Sequence, residues 1–205
     1  MLTPLQRRLA LLLRALPEAE GFALAGGAAL IVRQLVDRTT RDLDYFATDA
    51  SAVAALLPAL ETHLSAEGLA SARRRQAPGF VRLEVFDGIE TVELDLAHDA
   101  RQHPASSTEL GTTLAAEELA ADKMLALYGR AEVRDFIDAA ALLEVYSEAE
   151  LLELARRKDA GFTVKRFVEA LGAIHRFREP DFMAAGTSGP DLIARFDRWR
   201  QQLQA

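Results

Sequence analysis

The sequence predicts a protein of the α/β (α+β) class, with a small mixed sheet in its first half and a helical second half. Before about residue 110, helical segments alternate with short β-rich runs, and after it nearly every segment has helical periodicity. Half of the 205 residues are hydrophobic and 27% are charged, which is typical of a folded globular protein. We therefore expect two parts, residues 1–110 and 111–205.

The composition excludes several classes of protein. The absence of cysteine rules out disulfide scaffolds, thiolate zinc sites and cysteine nucleophiles. No stretch approaches the roughly 18 apolar residues of a membrane span, and no signal-peptide cleavage site follows the apolar run at 9–13. A formal charge of -7 argues against a general nucleic-acid coat. The expected location is the cytoplasm, with no membrane or DNA partner.

The first half is expected to begin with a helix and to continue with alternating strands and helices. Thr3 and Pro4 predict the start of a helix over 4–16, because Thr is a good N-cap and Pro fits the first turn. Within residues 80–86, apolar residues alternate with Arg82 and Glu84. This two-residue period is typical of a β-strand. Asp87-Gly88 then predicts a hairpin turn. The expected elements are strands over 22–24, 43–46, 69–75, 80–86 and 91–96, helices over 28–35 and 51–64, and a loop over 97–112.

The second half is expected to be entirely helical. Ser147 and Glu150 form a capping-box pattern, which predicts the start of one of its helices. The expected helices cover residues 114–128, 133–146, 148–158, 164–177 and 190–203.

The most informative segment is 26–46, in which two glycines precede a helix and Asp42 and Asp44 lie on the next strand. Residues i and i+2 of a strand share a face, so both carboxylates come together while Leu43 turns to the core. A divalent cation relieves the repulsion between such charges, and Mg²⁺ binds through one or two carboxylates plus substrate phosphates. The pattern predicts a Mg²⁺ or Mn²⁺ site, and the competing interpretation is a pair of solvated acids.

Gly26 and Gly27 add a candidate phosphate-binding element. Because glycine lacks Cβ, backbone N–H groups can approach a phosphate at the start of a helix, where the helix dipole favours anions. Neither the glycine pair nor the aspartate pair is specific alone, but their combination at this spacing favours a nucleotide site.

Asp95 is a candidate third carboxylate. Apolar residues of the strand over 91–96 form one face, which places Asp95 with Glu93 on the other. Two-metal nucleotidyl transfer uses three carboxylates, one of which can activate the attacking hydroxyl. The alternative is a solvent-facing acid beside Glu93.

A third group of candidates lies on the helices of the second half. Lys123 is one of few lysines in a chain that otherwise uses arginine, and a compact ammonium can act as a point charge on a phosphate. Asp135 and Asp138 share a helix face. The alternatives are exposed acids near a helix N-terminus and, for Asp138, burial opposite Lys123.

The order of these motifs resembles the AbiEii/MenT nucleotidyltransferase toxins of toxin–antitoxin systems, most of all the mycobacterial MenT toxins. The likeness covers roughly residues 20–145. It consists of Gly-Gly-x-x-Leu, Arg-Thr-Thr-x-Asp-x-Asp, Leu-Asp, Ala-Asp-Lys and Arg-Asp-x-x-Asp. The resemblance implies a DNA polymerase β-like nucleotidyltransferase core, with a helical C-terminal part that completes the active site.

The resemblance also implies residue roles. Asp42, Asp44 and Asp95 would bind the metal, and Lys123 and Asp138 match the essential Lys and Asp of the helical half. Family members often carry Ser or Gly-Ser where this chain has Gly27 and Thr39-Thr40. The resemblance therefore does not specify which hydroxyl contacts the phosphate. The triphosphate contacts implied are Gly26, Gly27, Thr39 or Thr40, and Lys123.

The implied reaction adds nucleotides, usually pyrimidines from CTP or UTP, to the 3′ end of tRNA, which blocks aminoacylation and translation. The implied partners are tRNA and a cognate antitoxin, which in related toxins acts like a kinase on a hydroxyl of this motif. Phosphate on Thr39 or Thr40 would add about two negative charges beside Asp42 and Asp44. Our hypothesis is that one of these threonines is a regulatory switch.

A net acidic protein that binds tRNA needs a local basic surface. The candidates are Arg73, Arg74 and Arg75, and a second group at Arg156, Arg157, Lys158, Lys165 and Arg166; the alternative is ordinary solvated surface. Two rival functions use the same residues: nucleotidyl transfer to a protein or small molecule, and nucleotide sensing without catalysis.

Overall fold

A computed structural model describes all 205 residues, which divide into two units, Met1–Ala116 and Glu117–Ala205. The first unit holds the sheet and the second is helical. The first unit extends past residue 110 because the strand Gly111–Thr113 pairs with the strand Ala23–Ala25. No helix is long and apolar enough to cross a membrane.

The first unit contains three helices, one short 3₁₀ turn at Pro17–Ala19 and seven strands. The predicted N-cap is confirmed: the Thr3 hydroxyl accepts a hydrogen bond from the Gln6 amide. The helices are α1 (Pro4–Ala15), α2 (Gly26–Val32) and α3 (Ala52–Ala66), and the strands are β1 (Ala23–Ala25), β2 (Asp42–Ala47), β3 (Ala70–Ala77), β4 (Phe80–Phe86), β5 (Thr91–His98), β6 (Ser106–Thr108) and β7 (Gly111–Thr113).

The seven strands form one mixed sheet in the order β3-β4-β5-β2-β1-β7-β6. The pairs β2·β5 and β1·β7 are parallel and the others are antiparallel. The mixed α/β class is confirmed, and the predicted strand over 80–86 matches β4.

The expected loop over 97–112 is wrong in its second part, where β6 and β7 form a hairpin. The Thr108 hydroxyl closes the turn by donating to the Gly111 carbonyl at 2.9 Å. Arg33, after α2, donates to the Thr113 carbonyl at 2.9 Å and to the Ser106 hydroxyl at 2.8 Å. The contacts of Arg33 join residues 73 and 80 positions apart in the sequence, so local pattern did not indicate them.

The second unit has a helix near each expected position and one that was not expected, α8 (Glu179–Ala184). The expected helix over 133–146 ends at Leu142. The helix Glu148–Lys158 matches its predicted bounds, and the capping box of Ser147 and Glu150 is confirmed. The expected helix over 164–177 ends at Gly172 and continues as a 3₁₀ turn. The missed helix, α8, is only six residues long. The helices are α4 (Ala116–Gly129), α5 (Val133–Leu142), α6 (Glu148–Lys158), α7 (Val164–Gly172), α8 (Glu179–Ala184) and α9 (Gly189–Gln204).

An aromatic cluster forms the core of the second unit. Phe136 of α5 packs edge-to-face on Phe196 of α9, with ring centroids 5.0 Å apart, and Phe167 of α7 packs similarly on Trp199 at 5.2 Å. All four side chains are fully buried, so these contacts hold α9 against α5 and α7.

Candidate active site

Strand β2 carries the aspartate pair on one face. Leu43 and Tyr45 are buried on one side of the sheet, while Asp42 and Asp44 lie partly buried on the other. The alternation of a strand therefore brings the two carboxylates to a common surface, as predicted.

Asp95 joins this surface from the neighbouring strand. β2 and β5 run parallel, and their register pairs Asp44 with Asp95 and Asp42 with Glu93. Asp95 is only 7% exposed, so it is not the solvent-facing acid of the alternative interpretation. The strand also continues to His98, which places Asp95 inside β5 rather than at its end.

Both carboxylate oxygens of Asp95 are held by Arg82 of β4. Arg82 Nε lies 2.7 Å from Asp95 Oδ1, and Nη2 lies 2.7 Å from Oδ2. A weaker contact of 3.3 Å joins Arg82 Nη1 to Glu93. The hydrogen bonds to Asp95, together with the charges of Glu93 and Asp44, raise the pKa of Arg82 above its ordinary value.

The two glycines provide room for site side chains. Gly26 has a φ of +58°, and a Cβ there would lie 1.8 Å from Asp44 Oδ2. A Cβ on Gly27 would lie 2.9 Å from a guanidinium nitrogen of Arg38 and 3.0 Å from Thr40 Oγ1. The absence of side chains at these positions lets the carboxylate, guanidinium and hydroxyl lie against the backbone.

The two threonines have different surroundings. The Thr40 hydroxyl is buried and donates to Asp42 Oδ1 at 2.7 Å, while its carbonyl accepts from the buried Gln6 amide at 3.0 Å. Thr39 is exposed. Thr40 thus orients Asp42, and Thr39 is accessible from solvent.

Carboxylates are suitable ligands for a divalent cation, and the two strands place three of them on a common face. Asp42, Asp44 and Asp95 share one face of two adjacent strands, and Gly26 allows a close approach to Asp44. In this structure no three acidic or histidine side chains are arranged to hold a metal ion. Arg82 donates one hydrogen bond to each carboxylate oxygen of Asp95.

Lys123 and Asp138 form a buried ion pair within the second unit. Lys123 Nζ lies 2.9 Å from Asp138 Oδ2 and 3.9 Å from Asp135 Oδ1. Asp135 also accepts from the Arg130 guanidinium at 2.9 and 3.0 Å and from the Glu132 amide. Neither aspartate is exposed, so the interpretation of exposed acids near a helix terminus is wrong. The other alternative, burial of Asp138 opposite Lys123, is what the structure shows.

Comparison with known families decides what this chain is. The family model of the nucleotidyl transferase AbiEii toxin, a type IV toxin–antitoxin system, matches residues 9–203. The chain belongs to the AbiEii nucleotidyltransferase toxin family. No curated protein matches the sequence.

Solved structures have the same fold as this AbiEii-family toxin. JHP933 from Helicobacter pylori is 15% identical, with a TM-score of 0.58 over 96% of this chain and 88% of that one. MenT4, a nucleotidyltransferase toxin from Mycobacterium tuberculosis, is 17% identical, with a TM-score of 0.54 over 84% of this chain and 65% of its own. The predicted family and fold are thereby confirmed, and family membership implies a nucleoside triphosphate substrate and a cognate antitoxin.

Half of the predicted basic residues of the toxin pair with acids of the same chain. Arg73 makes a two-pronged contact with Glu61 of α3, and Arg74 pairs with Glu84 of β4. Arg75 instead lies over the ring of Phe80, 5.5 Å from its centroid.

The second basic group contains one residue that does not belong to the surface. Lys158 is 7% exposed at its side chain and bridges Glu118, at 2.8 Å, and Asp122. Lys158 is therefore part of a buried network between α6 and α4 and is excluded as a surface RNA contact. Arg157 pairs with Glu153 along its own helix.

Sequence reasoning missed Arg82 and Arg38. The signal for Arg82 was present: it lies on the polar face of a strand in a hairpin whose partner strand carries Asp95. Arg38 lies within the quoted motif and packs against Gly27, but nothing in its local pattern indicates that contact.

Proposed function

We propose that this toxin transfers nucleotides, with CTP or UTP as the preferred donors, to the 3′ acceptor end of tRNA and so blocks aminoacylation and translation. The observation that carries the proposal is the alignment of Asp42, Asp44 and Asp95 on one face of two adjacent strands. Three carboxylates in this arrangement suit nucleotidyl transfer, and the chain belongs to a nucleotidyltransferase toxin family.

In the proposed reaction the terminal 3′-hydroxyl of tRNA attacks the α-phosphorus of the triphosphate. A phosphorus–oxygen bond forms to the tRNA, the bond to the β-phosphate breaks, and pyrophosphate leaves. Asp42, Asp44 and Asp95 would hold a divalent cation, which when bound neutralises charge on the triphosphate. Asp95 either accepts the proton of the hydroxyl or acts as a ligand, and Thr40 orients Asp42. Lys123 is proposed to neutralise triphosphate charge.

Arg75 is the best candidate for an RNA contact among the three arginines of β3. Arg73 and Arg74 have carboxylate partners within the chain, whereas Arg75 lies over an aromatic ring. A guanidinium in that position keeps its charge and can pair with a phosphate.

A labelling experiment tests the proposal. Purified toxin is incubated with total tRNA, Mg²⁺ and each labelled nucleoside triphosphate separately. We expect label from CTP or UTP to enter tRNA, and we expect Asp42→Ala or Asp44→Ala to lower incorporation about a hundredfold or more. Asp191→Ala, which removes an exposed acid from the first turn of α9, serves as the matched control. Arg75→Glu should lower tRNA labelling without weakening nucleotide binding.

Other results would replace the proposal with one of its rivals. Label entering protein or a small molecule, with none in tRNA, would indicate a different acceptor. Binding of nucleotide without any transfer, by toxin shown by mass to be unphosphorylated, would favour a nucleotide-sensing module.

Thr39 is proposed as the hydroxyl that the antitoxin phosphorylates. It is exposed, whereas Thr40 is buried and bonded to Asp42, so a kinase-like antitoxin can reach Thr39 without breaking the site. The added charge of about -2 would lie near Asp42 and Asp44 and oppose nucleotide binding.

Intact-mass measurement after co-expression with the cognate antitoxin tests this assignment. We expect the mass of one phosphate on wild-type toxin and on Thr40→Val, and none on Thr39→Val. A phosphate that persists in Thr39→Val, or its absence from wild-type toxin, would contradict it.

A further inference from the structure

The contact between Arg82 and Asp95 is a two-pronged ion pair on the face of the sheet that carries Asp42 and Asp44. Two parallel hydrogen bonds of 2.7 Å join the guanidinium to the carboxylate, so both oxygens have a charged donor. Pairs of this two-pronged kind are among the strongest that side chains make.

Backbone pairing fixes this contact. β4 and β5 are antiparallel neighbours, and their register places Arg82 directly opposite Asp95. The two partners differ in exposure, because 39% of the Arg82 side chain and only 10% of the Asp95 side chain is accessible. Asp95 is therefore largely enclosed by the sheet, while part of the Arg82 side chain is accessible to solvent.

Arg82 also offsets the charge of the surrounding acids. Asp44 is the register partner of Asp95 on the other side of β5, and Glu93 lies within 3.3 Å of the guanidinium. A guanidinium does not release its proton in proteins, so the ion pair with Asp95 breaks only if the side chain of Arg82 moves away.

We propose that Arg82 takes the place of the divalent cation at Asp95 in the ligand-free toxin, and that the cation binds only when it displaces this guanidinium. Arg82 is then a positioning residue that offsets the charge of Asp95 and keeps its carboxylate oriented. The inference rests on the proposed metal site of Asp42, Asp44 and Asp95.

Binding of Mn²⁺ without nucleotide tests the inference. Free Mn²⁺ is measured by its electron paramagnetic resonance signal, and calorimetry gives an independent affinity. Removing the competing hydrogen bonds in Arg82→Met should tighten Mn²⁺ binding about tenfold or more. Arg82→Lys keeps the charge and loses the two-pronged geometry, so a smaller tightening is expected. Arg8→Met, which removes a charge paired with Glu67 on the surface, should leave the affinity unchanged.

The outcomes separate this inference from the proposed function. If Asp44→Ala weakens Mn²⁺ binding but neither Arg82 variant tightens it, the metal site stands and the role of Arg82 is wrong. If Asp44→Ala has no effect, or wild-type toxin and both Arg82 variants bind no Mn²⁺, the metal site itself is wrong. If both Arg82 variants lose the cooperative melting of wild-type toxin, Arg82 is a structural residue and the inference fails.

Discussion

At Gly26 both the backbone conformation and the neighbouring carboxylate require a residue without a side chain. The residue has φ of +58°, which disfavours side chains, and the space where a Cβ would lie is filled by the carboxylate of Asp44. Glycine was expected here because a phosphate approaches the backbone, but in this structure Asp44 makes the close approach. A substitution at Gly26 should therefore disturb the carboxylate directly.

Gly26→Ala should fold and lose activity. We expect a cost of roughly 1–2 kcal/mol in unfolding free energy from the left-handed backbone, and a strong loss of Mn²⁺ binding because Asp44 Oδ2 cannot remain 1.8 Å from a methyl group. Thermal melts and Mn²⁺ titration measure the two effects.

Gly68 provides a matched control for this prediction. Its φ is +73°, and a Cβ there would meet nothing within 4 Å. Gly68→Ala should thus lose similar stability and keep normal Mn²⁺ binding. Equal Mn²⁺ affinities in the two variants would show that Asp44 does not need the space at Gly26.

Among the helices, the ion pair between α4 and α5 combines a structural role with a proposed functional one. Lys123 and Asp138 are buried and 2.9 Å apart. Breaking a buried pair leaves one charge without its partner, which costs more than removing both charges. Comparing the removal of one charge with the removal of both therefore distinguishes the structural role of Lys123 from its proposed role at the triphosphate.

Lys123→Met should lower the unfolding free energy by about 3–5 kcal/mol, as measured by urea denaturation. Adding Asp138→Asn to this variant should recover part of that loss, because the uncompensated charge is removed. If Lys123 neutralises triphosphate charge, the double variant is folded but does not label tRNA. A double variant that labels tRNA normally would assign Lys123 a structural role only.

The hairpin of β4 and β5 shows how an element decides which residues meet. The loop spans the four residues between Phe86 and Thr91, and this length pairs Arg82 with Asp95. If the loop were two residues shorter, the strand pairing would shift by two residues and Arg82 would lie opposite Glu93, on the same face of the sheet. The alternating pattern fixed the polar face of each strand, but the loop length determined the partner.

At the scale of the whole molecule, charge composition describes the surface poorly. The chain has 24 basic and 31 acidic residues, and several arginines expected to bind RNA pair with acids of their own unit. Lys158 adjoins Arg156 and Arg157 in sequence but lies in a buried network. A run of cations in the sequence does not show which of them remains available to a phosphate.

Local pattern determined much of this protein from the sequence alone. The alternation of β2 placed Asp42 and Asp44 on one face, and the caps at Thr3 and Ser147 fixed the starts of two helices. These features depend on residues within one turn or one strand, so their physical causes are contained in the adjacent sequence. The family resemblance rested on the same short motifs and was confirmed.

Only the tertiary structure decided which distant residues came together. Asp44 meets Asp95 because β5 lies parallel to β2, although some fifty residues separate them along the chain. The same assembly placed Asp44 in the space at Gly26. Strand order, register and burial depend on the whole core at once, so no short pattern specifies them.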